Sequence, residues 1–149
     1  MAPIVSTIEV TRPPGEVFAY VTDPTRLREW QDGVVSARMQ EGGQPAAGSR
    51  FTTITRIGGA EQTSTLEIME LSPPRVWSVR GIDGLVRVKV TVTVDPLPGG
   101  QGSRVTVALD FDGYGPGRML VPLVVRPQAA RHAPRSCQRL KEQLESQPR

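Results

Sequence analysis

The sequence predicts an α+β fold, in which one seven-stranded antiparallel sheet packs with two short helices and a long C-terminal helix. Three observations predict this fold. An opening strand pattern leads directly into two helix start signals, residues 33–112 then carry an apolar period of two, and residues 116–146 carry a helical period. The chain has 149 residues, of which 38% are hydrophobic and 22% charged. This size and composition predict a single domain over residues 1–149.

The first strand and helix are predicted from local patterns. Residues 4–10 alternate apolar and polar side chains, which is typical of a strand with one apolar face. Pro13 and Pro14 end this strand, and proline is well tolerated in the first turn of a helix. Apolar residues follow at helical spacing, so we expect the first helix over residues 14–22.

A second helix start lies at Asp23-Pro24. The aspartate side chain can accept hydrogen bonds from the unpartnered N–H groups of a first turn, and Pro24 suits the first helical position. Leu27 and Trp30 are three residues apart, so they share one face of this helix. The Asp-Gly pair at residues 32–33 has the turn chemistry that ends it.

Six further strands are predicted after the second helix. Their connections are short and rich in turn-forming residues, so successive strands are expected to pair as antiparallel hairpins. Alternation is clearest over residues 85–95, which predicts one buried and one wet face. Residues 62–71 carry apolar side chains on both faces, so the inward face of that strand stays open. The six strands are 34–40, 49–57, 62–71, 75–81, 85–95 and 103–112.

The pattern of residues 116–146 is helical but contains prolines. Pro127 and Pro134 each remove a main-chain hydrogen bond, so a kink or break is expected at each, and the continuity of the helix stays open. An apolar stripe nevertheless recurs at alternating spacings of four and three, which predicts that one face meets the sheet. The stripe consists of Met119, Leu123, Arg126, Ala130, Ala133, Cys137, Leu140 and Leu144.

The positive charge of the chain lies in its C-terminal part. The net charge is +3, but residues 1–115 hold 11 basic and 13 acidic side chains, whereas residues 116–149 hold 7 basic and 2 acidic ones. No aromatic residues are interleaved with these arginines, so we predict no nucleic-acid partner. A solvated helix face and contact with an anionic partner or lipid remain alternatives.

Metal and cofactor motifs do not occur in the sequence. His132 is the only histidine and Cys137 the only cysteine, which argues against a metal site and an internal disulfide. The segments GGQPAAG and PLPGGQG lack the lysine of a phosphate-binding loop and are interpreted as turns. We therefore predict no metal and no cofactor. The N-terminus lacks signal-peptide features and no apolar run could span a bilayer, so we expect a cytoplasmic protein.

Four segments resemble motifs of a known superfamily: PPGEVFAYVTDPTRLREW, ELSPPRVWSVRG, GPGRMLVPLV and RLKEQLE. They are similar to the START-like (SRPBCC) helix-grip superfamily, and the chain looks like a polyketide cyclase/dehydrase-like or coenzyme Q-binding-like member. The resemblance implies a Bet v 1-like helix-grip fold, in which a curved sheet wraps around the C-terminal helix. It also implies a cavity between the sheet and that helix.

Inward strand positions and the first turns of the final helix are expected to line this cavity. They form an apolar pocket with a few hydroxyl groups, which suits a hydrophobic small molecule. No catalytic residue is evident except Arg126, whose guanidinium could clamp a carboxylate or polarise a carbonyl, or could instead reach water. The predicted ligand-binding residues are Phe51, Thr53, Thr55, Trp77, Val79, Val88, Val90, Val92, Leu109, Phe111, Met119, Leu120, Leu123 and Arg126.

Three functions are compatible with these features. The first is binding of a hydrophobic small molecule such as a polyketide, a quinone or a lipid. The second is a polyketide cyclase or aromatase, which would promote aldol cyclisation and dehydration largely by holding reacting atoms close together. The third is a module that contacts a membrane or a protein through its basic C-terminal helix. Peripheral membrane contact, and a monomeric or homodimeric state, stay open.

Overall fold

The computed structural model describes residues 2–40 and 45–146, which form seven strands, two N-terminal helices and a C-terminal helical segment. The strands are β1 (Ile4–Val10), β2 (Val34–Met39), β3 (Arg50–Ile57), β4 (Ala60–Ser72), β5 (Val76–Gly81), β6 (Val86–Pro96) and β7 (Ser103–Gly113). The helices are α1 (Pro14–Val21), α2 (Leu27–Trp30), α3 (Gly117–Leu120) and α4 (Arg126–Ser146), with a 3₁₀ turn at Pro24–Arg26 and a π turn at Val121–Val125. The predicted GGQPAAG turn lies partly outside the described residues.

The strands form one open antiparallel sheet in the order β1-β7-β6-β5-β4-β3-β2. Strands β2 to β7 each pair with their neighbours in sequence, which confirms the predicted hairpins and the α+β fold. Strand β1 joins the sheet at β7, where Ile4 lies opposite Leu109 and Val10 opposite Ser103. Because β1 and β2 are the two edges, the connection that carries α1 and α2 extends from one edge of the sheet to the other.

A register shift between Ile68 and Glu70 decides the inward face of β4. Before the shift, Leu66 and Ile68 are 4% and 1% exposed, whereas Met69 is 44% exposed. After the shift, Leu71 packs against the core. A bulge adds one residue to one strand, so the parity of the inward positions changes at that point.

The N-terminal helix start signals are confirmed. Helix α1 begins at Pro14 and ends one residue before the predicted boundary. The Asp23 carboxylate accepts a hydrogen bond from the Thr25 N–H at 3.0 Å, as expected of a capping aspartate. Leu27 and Trp30 are both buried, which confirms that they share the inner face of the second helical region.

The C-terminal segment is irregular at a different place from the one predicted. Neither Pro127 nor Pro134 ends the helix, because α4 runs from Arg126 to Ser146 with Pro134 inside it. The irregularity is the preceding π turn, in which the Arg126 N–H bonds to the carbonyl of Val121, five residues back. Pro127 follows directly as the second residue of α4, so the π turn immediately precedes the position that lacks an N–H.

The π turn also changes which face of the segment is buried. It inserts one extra residue, so Val121 and Val125 are buried, whereas Met119 and Leu123 of the predicted stripe are exposed. Ala130 is exposed as well. After the first turns of α4 the stripe is confirmed, because its remaining apolar members are buried. These are Ala133, Cys137, Leu140 and Leu144.

The buried residues form two apolar clusters. The larger one joins the inner face of the sheet to α1, α2 and the C-terminal half of α4. The smaller one lies under the π turn and contains Val86, Val121 and Val125, with Ile57 and Phe111 packed against it. No helix within the described part of the chain combines the length and the apolarity needed to cross a membrane.

Polar contacts hold the end of α4 to the end of β1. The Arg12 side chain is buried, and its Nε donates to the Leu144 carbonyl at 2.9 Å while Nη2 donates to the Glu145 carbonyl at 3.3 Å. The last carbonyls of a helix have no partner within it, so the guanidinium acts as a cap. The Thr11 N–H donates to the Glu145 carboxylate at 3.1 Å, and this bond lowers the pKa of Glu145.

Candidate functional site

A cavity of about 160 Å³ lies between the inner face of the sheet and helix α4. An engineered apolar cavity of roughly 150 Å³ binds benzene, so this cavity has room for one aromatic ring. All seven strands contribute to one wall, mainly β3, β5, β6 and β7, and α2 and α4 form the other. The predicted site residues that lie in this wall are Phe51, Thr53, Thr55, Trp77, Val79, Val88, Val90, Leu109 and Phe111.

Hydroxyl groups from two neighbouring strands add a polar edge to the apolar wall. Thr53 and Thr55 lie in β3, and Ser64 of β4 lies opposite Thr53. The hydroxyls of the two threonines make no hydrogen bond to any described residue, so both are available to a ligand. Their role as ligand contacts stays a prediction.

Two indole groups in the cavity wall have unpaired donors. Trp30 and Trp77 are each 1% exposed and both line the cavity. Among the described residues, neither Nε1 has a hydrogen-bond partner. Buried polar groups in proteins are nearly always hydrogen-bonded, and an unpaired one costs about 1–3 kcal/mol. The two N–H groups are therefore candidate donors to a ligand oxygen at the cavity wall.

Four of the apolar residues predicted for the cavity lie elsewhere. Val92 is on the same face of β6 as Val90, but it is fully buried opposite Trp77 in the larger cluster, where α1 covers β6. The residues predicted from the first turns of the final helix point away from the cavity, because the π turn rotates that part of the segment. They are Met119, Leu120 and Leu123, which are 68%, 36% and 68% exposed.

Arg126 also lies outside the cavity, which corrects the prediction that it contacts a ligand there. Its Nη1 is 3.3 Å from Oδ1 of Asp110 in β7, and its Nη2 donates to the carbonyl of Ala2. The guanidinium thus joins the start of α4 to the β1–β7 edge of the sheet. The cause is again the π turn, which moves Arg126 off the inward stripe.

The polar groups at the cavity mouth were not predicted. Gln128, His132 and Ser136 recur every four residues on α4 and all line the cavity, next to Asp32 at the end of the second helical region. The Asp32 N–H donates to the Ser136 hydroxyl at 2.8 Å. The Gln128 amide bonds to the β3–β4 turn through Gly58 and Arg56. This spacing is visible in the sequence, but the stripe drawn from Met119 did not include His132.

Asp32 is the charged centre of this mouth. Its carboxylate lies 3.8 Å from His132 Nδ1, 3.8 Å from Arg139 and 4.0 Å from Arg135. The side chains of Asp32 and His132 are each 28% exposed, so solvent reaches both. The pair brings an imidazole and a carboxylate to the entrance of an apolar cavity, an arrangement that can accept and donate a proton.

Cys137 lies deeper in the wall and has a different character. The side chain is buried, and this burial raises the pKa of the thiol, although a hydrogen bond with Ser6 acts in the opposite direction. The neutral thiol is a poor nucleophile. Cys137 therefore contributes a small, neutral part of the wall.

The fold is shared with several solved structures. A START superfamily protein from Mycobacterium smegmatis is 15% identical, with a TM-score of 0.77 over 97% of this chain and 98% of that chain. The Zhui aromatase/cyclase from a Streptomyces species is 15% identical, with a TM-score of 0.77 over 96% and 93%. A protein from Thermus thermophilus is 20% identical, with a TM-score of 0.75 over 95% and 96%. These similarities confirm the predicted helix-grip fold.

The amino-acid sequence also matches a known protein family. The family described as "Polyketide cyclase / dehydrase and lipid transport" matches residues 1–145. No curated protein matches the chain significantly.

Proposed function

Because the chain belongs to the polyketide cyclase / dehydrase and lipid transport family, we propose that its cavity binds a hydrophobic small molecule that carries a ketone-like oxygen. Polyketides, quinones and acyl lipids all have this chemistry. The cavity wall is largely apolar, so burial of an apolar ligand contributes roughly 25 cal/mol for each Å² removed from water. We include a ketone-like oxygen in the ligand because the wall also contains polar groups that need a hydrogen-bond partner.

The observation that carries the proposal is a pair of indole donors that have no hydrogen-bond partner among the described residues. Trp30 and Trp77 both line a space that is otherwise lined mainly by apolar side chains, and neither indole N–H has a hydrogen-bond partner among the described residues. A hydrocarbon would fill the space but leave both donors unpaired. A carbonyl oxygen would satisfy one of them, and such a hydrogen bond is worth about 0.5–1.5 kcal/mol net.

Native mass spectrometry of freshly purified protein is the first experiment. A stoichiometric hydrophobic molecule, extracted and identified, would support binding and identify the ligand class. A matched pair of probes then tests the donors: acetophenone carries a carbonyl where α-methylstyrene has a carbon–carbon double bond. We expect acetophenone to bind about 2- to 10-fold more tightly, as measured by ligand-observed NMR.

Replacement of the indoles provides the control. Trp77→Phe and Trp30→Phe keep an aromatic ring but remove the N–H donor. We expect at least one of these variants to lose the preference for acetophenone while it retains binding of α-methylstyrene. Equal affinity of the parent protein for the two probes would contradict the proposed role of the donors.

A second candidate function is cyclisation of a poly-β-ketone, and the His132–Asp32 pair at the cavity mouth favours it. A base there would remove a proton from a carbon between two ketones, and that carbon would then attack a further carbonyl to close the ring. The same groups would return this proton to the new alkoxide, and the removal of a second proton from the attacking carbon, with protonation of the hydroxyl, would then release water and form the carbon–carbon double bond. Such chemistry depends largely on the folded shape imposed on the chain.

The test separates turnover from binding. His132→Gln should abolish ring closure of a poly-β-ketone substrate and leave acetophenone affinity unchanged. Arg126→Gln, which removes a cation outside the cavity, serves as the matched control and should retain turnover. Full activity of His132→Gln would refute the role of this histidine.

A third candidate is contact with an anionic lipid surface through the apolar patch, which we define as Met119, Leu120 and Leu123. These side chains are exposed on one helical segment beside Arg118, a cation that makes no ion pair with any described residue. Sedimentation with phosphatidylglycerol-containing vesicles at low salt tests this candidate. Binding that is lost in Met119→Ser/Leu123→Ser would support it, and absence of binding by the parent would refute it.

A further inference from the structure

An open groove of about 550 Å³ lies directly outside the cavity mouth. We call it the outer groove. Its wall and the cavity wall share residues from the β2 entrance and from α4, so the two spaces adjoin. The shared residues are Gln31, Asp32, Gly33, Val34, Gln128 and His132.

The outer groove is strongly basic. Arg28, Arg56, Arg131 and Arg139 line it, and Asp32 is the only carboxylate among its described lining residues. Asp32 already lies within 4.0 Å of Arg139 and Arg135. The field in the groove is therefore positive, and it attracts anions to the cavity mouth.

Two of these guanidinium groups are uncommitted. Arg56 pairs with Glu61 at 3.4 Å, and Arg139 pairs with Asp32 at 3.8 Å. Arg28 and Arg131, by contrast, make no side-chain hydrogen bond or ion pair with any residue in the described ranges. Guanidinium groups bind carboxylates and phosphates through paired N–H donors. These two side chains are thus free to hold an anionic group of a ligand.

The dimensions of the two spaces indicate how a ligand would be divided between them. Small-molecule sites usually measure about 300–1,000 Å³, and the cavity of about 160 Å³ is smaller than that range. A ligand larger than one aromatic ring must therefore extend through the mouth. The part that emerges enters the positive field of Arg28 and Arg131.

We propose that the outer groove binds the carboxylate or phosphate at one end of an amphipathic ligand whose apolar end occupies the cavity. This inference rests on the proposed binding function and deepens it by naming the ligand class. Arg28 and Arg131 hold the anionic group, and Arg139 is kept beside them by its hydrogen bonds to the main-chain carbonyls of Arg28 and Glu29. A neutral ligand of the same shape loses the charged contact and binds more weakly.

The experiment uses ω-phenylalkanoic acids with three to six chain carbons, together with their primary amides, which are neutral and nearly isosteric. Calorimetric titration of the full-length protein at low salt should give about 5- to 10-fold tighter binding of the best acid than of its amide. High salt should reduce this preference, because the groove is open to solvent. The corresponding phenylalkyl phosphates form the second arm, which distinguishes phosphate from carboxylate ligands.

The variant Arg28→Gln/Arg131→Gln should abolish the preference for the acid and leave the affinity for the amide unchanged. Arg118→Gln is the control, because it removes a surface arginine that has no ion-pair partner in the described ranges and lies about 20 Å from Arg131 along the helical segment. A preference that survives in the double variant overturns the assignment of these two arginines. Inorganic phosphate that binds as tightly as the phenylalkyl compounds overturns the amphipathic ligand in favour of a free-anion site.

The titrations distinguish failure of the inference about the outer groove from failure of the proposed cavity function. If the amides bind but the acids have no advantage, the inference about the outer groove is wrong and the proposed cavity function stands. If neither acids nor amides bind, while the protein remains folded by circular dichroism, both are wrong.

Discussion

The two parts of the C-terminal helical segment show opposite relations between hydrophobicity and burial. The first part, residues 117–125, is mostly apolar, yet Met119 and Leu123 are each 68% exposed. The second part, α4, is rich in charged and polar residues, yet Leu140 and Leu144 are 0% and 2% exposed. Hydrophobic content alone therefore does not predict which part supports the fold.

The difference arises from how each part is attached. Helix α4 presents a regular stripe to the larger cluster and is held at its end by Arg12 and Thr11. The first part buries only two of its apolar side chains, Val121 and Val125, because the π turn rotates the others outward. Helix α4 is buried because its apolar stripe is regular and its end is capped. The first part stays half-exposed because the π turn interrupts the stripe. The exposed part remains available for contacts outside the fold.

The largest expected effect contrasts two leucines on the two parts. Leu140→Ala removes a fully buried side chain from the larger cluster and should destabilise the protein by about 2–5 kcal/mol. Leu123→Ala should change stability by less than about 0.5 kcal/mol, because its side chain is already in water. Urea unfolding followed by circular dichroism measures both. Equal losses would show that the first part is as tightly packed as α4.

A second prediction tests the close approach that attaches the first part to the sheet. Gly117 is buried, and a Cβ at this position would collide with the Leu85 carbonyl oxygen. Gly117→Ala should therefore cost about 1–3 kcal/mol through overpacking. Gly15→Ala in α1, where a Cβ meets no atom within 4 Å, is the control and should be neutral or slightly stabilising. A neutral Gly117→Ala in thermal unfolding would contradict the close approach.

A third prediction concerns the cap on α4. Arg12→Met keeps much of the apolar stem but leaves the Leu144 and Glu145 carbonyls without their donor, which should cost about 1–3 kcal/mol. Arg104→Met removes an exposed arginine paired with Glu9 at 2.9 Å and should cost less than about 1 kcal/mol. Chemical denaturation compares the two variants. The idea of a cap fails if both variants lose the same stability.

The smallest expected effect is a pH-dependent change in the stability of the folded protein. The bond from Thr11 holds the pKa of Glu145 below its usual value, so the ionised form is favoured in the folded state. Its contribution to stability is present above the unfolded-state pKa and is lost as pH falls through the lowered, folded-state pKa. Glu145→Gln should therefore be less stable than the parent at neutral pH, by about 0.5 kcal/mol or less. The difference should disappear in acid, and Glu142→Gln serves as the exposed control in thermal unfolding at both pH values.

The inner surface of the cavity was largely predictable from the sequence. Alternation along β6 and β7 placed Val88, Val90, Leu109 and Phe111 on one face, because a strand has a side-chain period of two and one face must be covered. The motifs shared with the superfamily supplied the helix that covers it. The predictions of inward residues failed where this local periodicity is interrupted.

The bulge in β4 and the π turn before α4 are such interruptions. Each adds one residue to a regular element, and each reverses or rotates the side chains that follow. Because the π turn was not anticipated, Met119, Leu123 and Arg126 were predicted to line the cavity, whereas His132 was not among the predicted lining residues. Nothing in the local pattern marks either insertion, because both depend on the partner against which the element packs.

The sequence by itself determined the order of the elements, the hairpin connections and the inward residues of most strands, since these follow from turn chemistry and from periods of two and 3.6 along the chain. Only the tertiary structure decided that Asp32 meets His132, that two indole N–H groups lack partners among the described residues, and that Arg28 and Arg131 line one groove. Those residues lie on different elements, so their meeting depends on the register and rotation of each element against the others, which are set by packing over long sequence separations.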